Sequence, residues 1–398
     1  MKFTLPGYIG FLPFSRSGKE ASRMVPSGGV PVQNDRRQRS REKQKLAILT
    51  PLSIMLYHNG TSVSYILHQE WEERSMKKIA AVLSVVFLFL VLAASSAPAS
   101  DIKLAHVVNE NDAFHVCALK FKELVEGGSK GELTVTIYPN AKLGDERNLL
   151  ESMRMGVVDS AIITGGPIIN FMPKFGVFDL PFLFTTPEQA YKVLDGEIGR
   201  GMLADMDALG WKGLAYGERG FRNLTNSKKP VTVPDDMKGL KIRLMQNPVY
   251  VDSFKALGAN AVPMAWTEAL TALQQGTIDG QENPLNVIVS FNLFESQKHL
   301  ALTRHAYAPN VIMMSKRTWD KLSPEHQKLV QESAQAAAEH NRAYDNEKEA
   351  EWLQFLKDKG MEVTEPDLSL FREAVRPVYE KYEEQFGKEL VEAILAVK

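Results

Sequence analysis

The chain is poor in the residues and patterns that mark most catalytic proteins. Its 398 residues include one cysteine, Cys117, so neither an intrachain disulfide nor a cysteine-based metal site can form. No HExxH, GxSxG, GxGxxG, phosphate-loop, EF-hand or CxxC pattern occurs, which removes the usual sequence signals of hydrolases, dinucleotide enzymes, nucleotide binders and calcium sensors. No cofactor and no metal is predicted. Internal repeats are also missing. Surplus charge is absent too: 47 basic and 48 acidic residues leave a formal net charge of −1, and no global field draws in nucleic acid.

That balance hides a split. Up to Ala99 there are 13 basic and 6 acidic residues, and after it 34 and 42. The basic part contains Met76-Lys77-Lys78, the uncharged apolar run 79–94 and then Ala97-Pro98-Ala99. Basic start, apolar core and A-x-A site read as a cleavable secretory signal over 76–99, short for a membrane span. A permanent N-terminal anchor is the alternative. Signals work at a chain's start, so Met76 is predicted to be the initiator, with 1–75 an upstream, disordered, non-native extension. A genuine basic cytoplasmic arm is the other reading.

After the signal, strand and helix patterns alternate. Strands are predicted at 101–108, 133–138, 158–163 and 212–216, and helices at 112–126, 146–155 and 187–209. The polar, turn-rich segment 217–227 reads as a crossover between domains, and the aromatic loop 175–184 as core. Further strands follow at 298–303 and 307–314. From Ser323 to Lys359 a helical pattern runs without interior proline or glycine; at 1.5 Å per residue it reaches roughly 50 Å, more than one small domain spans, so it is predicted to lie over two lobes. A last helix is expected over 367–396.

The stretch from Gly239 to Pro284 carries the chemistry. Strand 240–244 is apolar except for its lysine and Arg243, and a guanidinium on such a strand needs an anionic partner, because burying it unpaired costs several kcal/mol or more. The partner is either a ligand carboxylate or an internal one. Asn247-Pro248 starts a helix and Gly258 ends it. Strand 260–264 leads to Trp266, placed either as core or as the flat wall of a pocket, and strand 277–280 leads to Asn283, which reads as a cap for the next helix. His106, at the end of the first strand, is either a hydrogen-bonded core residue or a ligand contact. Alternating α/β layers bind ligands at the carboxyl ends of their strands, where Arg243 and Asn283 fall.

The run LKIR, then ALGANAVPMAW, ALQQGTIDGQENP and ESQKHL with HAY, preceded by YPNAKLGDERNLLESMRMGVVD, DLPFLF and GFRNLTNSKKP, resembles the periplasmic solute-binding proteins of TRAP transporters, importers of organic acids that use an ion gradient rather than ATP. The likeness covers Asp101 to the C-terminus. It implies an α/β, two-lobed periplasmic-binding-protein fold with hinge strands and one long domain-spanning helix. One lobe would comprise 100–220 with 307–335, the other 221–306, with the spanning helix at 323–359 and a C-terminal helical segment at 360–398. It implies that Arg243 pairs with a ligand carboxylate, that Arg222 and Asn283 match further ligand-binding positions, that an aromatic such as Trp266 walls the site, and that Gln246, Asp145 and Thr164 face the cleft. The expected protein is a monomeric, non-enzymatic receptor in the periplasm, partnered with TRAP membrane subunits. Its ligand is a sugar acid, hydroxy acid or C4-dicarboxylate. Neutral Thr164 and the glycines after it offer an ammonium group no partner, which disfavours amino acids. The alternative is a periplasmic enzyme on a carboxylate substrate, with His106 or Asp145 as base.

Overall fold

The computed structural model describes residues 57–58, 61–93 and 100–397. Most of the 1–75 extension, and the cleavage site of the signal, lie outside them. The described part of the first unit is a two-stranded hairpin, Tyr57–His58 with Thr61–Ser62, followed by one helix, Val63–Ala93. That helix starts well before Met76, so the segment expected to be disordered is helical over 63–75; the helix-favouring run HQEWEERSMKK continues into the apolar stretch without a glycine or proline. Among the described residues no helix is long and apolar enough to cross a membrane.

The second unit is built on one nine-stranded sheet. Its strands are β1 (Ser100–Ala105), β2 (Leu133–Tyr138), β3 (Ser160–Thr164), β4 (Trp211–Asn226), β5 (Lys241–Leu244), β6 (Asn260–Pro263), β7 (Gly280–Asn283), β8 (His299–Ser315) and β9 (Glu362–Thr364). Their spatial order is β2-β1-β3-β8-β4-β7-β5-β6, with β9 on β8. At one end β1, β2 and β3 run parallel, and at the other β5, β6 and β7 do. Each parallel set takes helices on its faces, the α/β solution to burying a sheet on both sides.

The long antiparallel pair β4 and β8 joins the two sets. Residues 310–314 of β8 pair with β3, and residues 223–226 of β4 pair with β7, so the same two strands serve both lobes as hinges. Between the lobes their register shifts, at Ala301/Ala306 and Ala308/Pro309, and Gly220 takes φ +97°, a conformation that a side chain would strain. The segment 217–227, read from its polarity as a crossover loop, is therefore strand as far as Asn226: it does cross between lobes, but as ladder, because the partner β8 satisfies its backbone. The two strands expected at 298–303 and 307–314 are one bulged strand.

Helices follow their caps. Asp112 caps α1 (Ala113–Gly128), Asp145 caps α2 (Glu146–Met155) and Asn247, with Pro248 at the first position, caps α3 (Pro248–Ala256); each side-chain oxygen accepts an otherwise orphaned N–H. Trp266 opens α4 (Trp266–Gln274), and α5 spans Leu285–Ser290. The long helix α6 (Pro324–Asp358) packs on α1, on the hinge strand β4 and on α5, so it touches both lobes. The helix expected at 187–209 breaks at Asp195-Gly196, and that expected at 367–396 breaks at Val375 and Gly387. Phe175 and Phe178 are buried around Tyr216, and Phe184 against Phe178 and Tyr307, as core.

Candidate functional site

Two arginines singled out from the sequence meet different fates. Arg222 lies on β4, and the ladder sets Leu224 opposite Glu282, which puts Arg222, two residues along, on the same face as that carboxylate. Its Nε and Nη2 both reach the Glu282 carboxylate, and Nη2 also donates to the Glu282 carbonyl at 2.6 Å. His305 adds a contact to the same carboxylate, Nε2 to Oε2 at 3.1 Å. All three side chains are buried. Burial alone would raise the Glu282 carboxyl, but the Arg222 guanidinium and His305 outweigh it and hold it at about 2. Arg222, expected to face a ligand, is thus committed to an internal carboxylate.

Arg243 is not. It sits on β5 between buried Ile242 and Leu244 and is itself 3% exposed. Its Nε and Nη2 donate to a single backbone acceptor, the Met264 carbonyl, at 3.1 and 2.7 Å. Among the described residues no carboxylate forms an ion pair with it. The cost is visible in its protonation: burial, aided by the neighbouring Arg222 charge, lowers the guanidinium to about 10, with Glu282, Glu146 and Glu268 opposing. The cation lines a recess with Glu146, Met245, Gln246 and Trp266.

Trp266 is both buried and on the recess lining. Its ring is 5.4 Å from the Arg243 Cζ and is held edge-on by Phe291 at 5.0 Å. The residue is 7% exposed, and its indole N–H is a buried donor with no partner.

Of the remaining candidates, Gln246 and Asp145 line the same recess, and Thr164, Asn283 and His106 do not. Gln246 is exposed at the rim, where its carbonyl accepts from Asn170 at 2.7 Å. Asp145 lines the recess, but its carboxylate accepts the Asn148 N–H at 3.0 Å as a helix cap. Thr164 ends β3 and gives its N–H to Glu146 at 2.7 Å. Asn283 does not cap the next helix; Pro284 stands at that position, and the Asn283 amide donates to Gln281 Oε1 at 2.5 Å. His106 is buried against His115, Nε2 to Nδ1 at 3.1 Å, and is not among the residues lining the recess. Burial and the His115 neighbour push its imidazole down to about 4, so it is neutral at pH 7.

The sequence reading passed over Glu146, the residue after the cap. Half-buried at the start of α2, it lines the Arg243 recess; burial raises its carboxyl, while the Thr164 N–H and hydroxyl lower it. A carboxylate in the first turn of a helix looks like an ordinary dipole partner, so no signal marked it out. Also missed was Asp179, read as part of the aromatic core. It accepts from the Asn247 amide at 2.7 Å, and burial raises it to about 7.

Arg243 and Trp266 thus line one recess at the strand ends of a two-lobed α/β protein, with a buried guanidinium that no carboxylate among the described residues pairs. The family described as bacterial extracellular solute-binding protein, family 7 (DctP) matches residues 104–385, and the chain belongs to it, the solute-binding proteins of TRAP transporters. It is a receptor and not an enzyme, which closes the reading of His106 or Asp145 as a base. A TRAP periplasmic solute-binding protein from Polaromonas, solved with D-erythronate, is 42% identical, with a TM-score of 0.74 over 75% of this chain and 99% of that one. One from Bordetella, with density assigned to pantoate, is 41% identical with a TM-score of 0.74 over 75% and 99%. The 2,3-diketo-L-gulonate-binding periplasmic protein of Escherichia coli is 36% identical over 324 residues, 80% of this chain and 98% of the relative.

Proposed function

We propose that the protein captures a small sugar acid or hydroxy acid in the recess between its lobes, with the ligand carboxylate on Arg243, and delivers it in the periplasm to the membrane subunits of a TRAP importer. The observation that carries this reading is the Arg243 guanidinium itself, buried, charged and bonded only to the Met264 carbonyl. A carboxylate is the partner its fork fits, two parallel N–H···O bonds at once. Trp266 closes one side and its free N–H offers a further donor. Arg222 acts at one remove: locked on Glu282, it fixes the strand from which Asn283 and α5 project.

Lobe closure about β4 and β8 removes water from the ion pair and strengthens it. Solved relatives carry D-erythronate, galactonate and galacturonate, and one has density assigned to pantoate, which supports a hydroxylated acid as the ligand. The lobes are residues 100–220 with 307–335, and 221–306; the receptor acts as a monomer, exported by a signal beginning at Met76. The test is calorimetry with D-erythronate, D-galactonate and D-galacturonate on wild type and Arg243→Ala. Micromolar binding lost in the variant supports the reading, and unchanged affinity removes Arg243 from the site.

A further inference from the structure

The recess holds an anion as well as a cation. Glu146 faces it from the first turn of α2, on the lobe opposite Arg243, and its only hydrogen-bond partner among the described residues is Thr164. No ion pair links Glu146 to Arg243 or to Arg147, whose guanidinium lies instead 3.7 Å from Glu151. Asp145, its neighbour, is spent on the Asn148 N–H.

These two groups ask opposite things of one ligand. A guanidinium only donates, and an ionised carboxylate only accepts. A molecule that satisfies both must present an anionic acceptor at one end and hydrogen-bond donors at the other. Hydroxyl groups on the carbons beyond the carboxylate meet that demand. A second carboxylate does not, because it would face Glu146 acceptor to acceptor and charge to charge in a site with little water.

We infer that Glu146 is the residue that sets specificity in this receptor: it admits monocarboxylic acids bearing hydroxyls distal to the carboxylate and rejects C4-dicarboxylates. The inference rests on Arg243 holding the ligand carboxylate and adds the identity of the group that reads the ligand's other end. Burial raises the Glu146 carboxyl, while the Thr164 N–H and hydroxyl and the Arg219 and Arg243 charges favour its ionised form.

Calorimetry with D-erythronate, succinate and γ-aminobutyrate on wild type, Glu146→Gln, Glu146→Asp and Arg243→Ala tests it. Wild type should prefer D-erythronate to succinate by about a hundredfold or more, as expected for juxtaposed like charges. Glu146→Gln supplies an amide donor where the anion stood, and should bring the two acids within about tenfold of each other, gaining succinate and losing D-erythronate. If that variant fails to melt cooperatively, Glu146→Asp keeps the charge, and should still reject succinate while binding D-erythronate more weakly. A preference left unchanged by Glu146→Gln, wild type favouring succinate, or γ-aminobutyrate binding tighter than D-erythronate overturns the assignment of Glu146. Arg243→Ala retaining wild-type affinity for whichever acid binds, or wild type binding none of these and none of the acids named above, overturns the underlying reading of the site instead.

Discussion

The Arg222 guanidinium forks onto the Glu282 carboxylate, whereas Arg243, on a strand of the same lobe, finds only a backbone carbonyl. One cation is therefore part of the protein's own charge balance, and the other has no ion-pair partner among the described residues. Removing each should have opposite consequences for folding and binding.

Arg222→Ala leaves the buried Glu282 carboxylate without its main partner. Breaking a buried pair from one side costs about 3 to 5 kcal/mol, so the unfolding free energy from urea titration should fall by that amount, with a correspondingly lower midpoint. Arg243→Ala removes a charge that burial disfavours and should leave the midpoint nearly unchanged or raise it. Its loss appears in binding, where truncating one partner of a desolvated ion pair costs about 2 to 5 kcal/mol. Arg243→Lys keeps the charge but not the fork, and should bind D-erythronate at least about tenfold more weakly than wild type. Equal stability losses in the two alanine variants would refute the distinction.

Asp179 and Glu282 pull stability in opposite directions with pH. Burial raises the Asp179 carboxyl from 3.8 to about 7, so between those values the native state holds a proton that the unfolded chain has released, and stability falls as pH rises, by about 1.4 kcal/mol per unit for that group. Glu282 is depressed from 4.5 to about 2; its contribution is complete above pH 4.5 and is lost as pH falls towards 2. Asp179→Asn should therefore raise the melting temperature at pH 8 and change it much less at pH 4. A variant equally shifted at both values would show that Asp179 does not titrate in this window.

Trp266 has an unpartnered N–H and lies against the guanidinium proposed to take the ligand. Saturating acid should change tryptophan emission, and Trp266→Phe should remove that change although four other tryptophans remain. The affinity of this variant should fall about tenfold or less, since stacking and one hydrogen bond are lost but the ion pair stays. An unaltered fluorescence response in Trp266→Phe would move the ring out of the site.

The proposed export signal predicts the mature terminus. Cleavage after Ala99 would leave Ser100, the first residue of β1 and the opposite of Leu133 in the ladder, and so would trim the chain at the edge of the folded lobe. N-terminal sequencing of protein recovered from the periplasm should begin at Ser100. A peptide from residues 1–75 in that material would show that the upstream segment is retained.

Much of this was written locally. Alternating and helical periods gave the α/β order, side-chain caps at Asp112, Asp145, Asn247 and Ser323 started their helices, and an arginine between Ile242 and Leu244 announced a cation in need of an anion. Each depends on neighbours within a few residues. What local pattern could not say is which arginine was already answered. That was decided by the register between β4 and β7, which sets Leu224 opposite Glu282 and so brings Arg222 onto a carboxylate 60 residues away. Tertiary structure likewise turned 217–227 from apparent loop into hinge strand, by supplying β8 as its hydrogen-bond partner, and gave Glu146 its weight by folding α2 against the recess that holds Arg243. The reason is the same in all three: burial and pairing are properties of strands and helices that meet across the chain, and no window along it contains both sides.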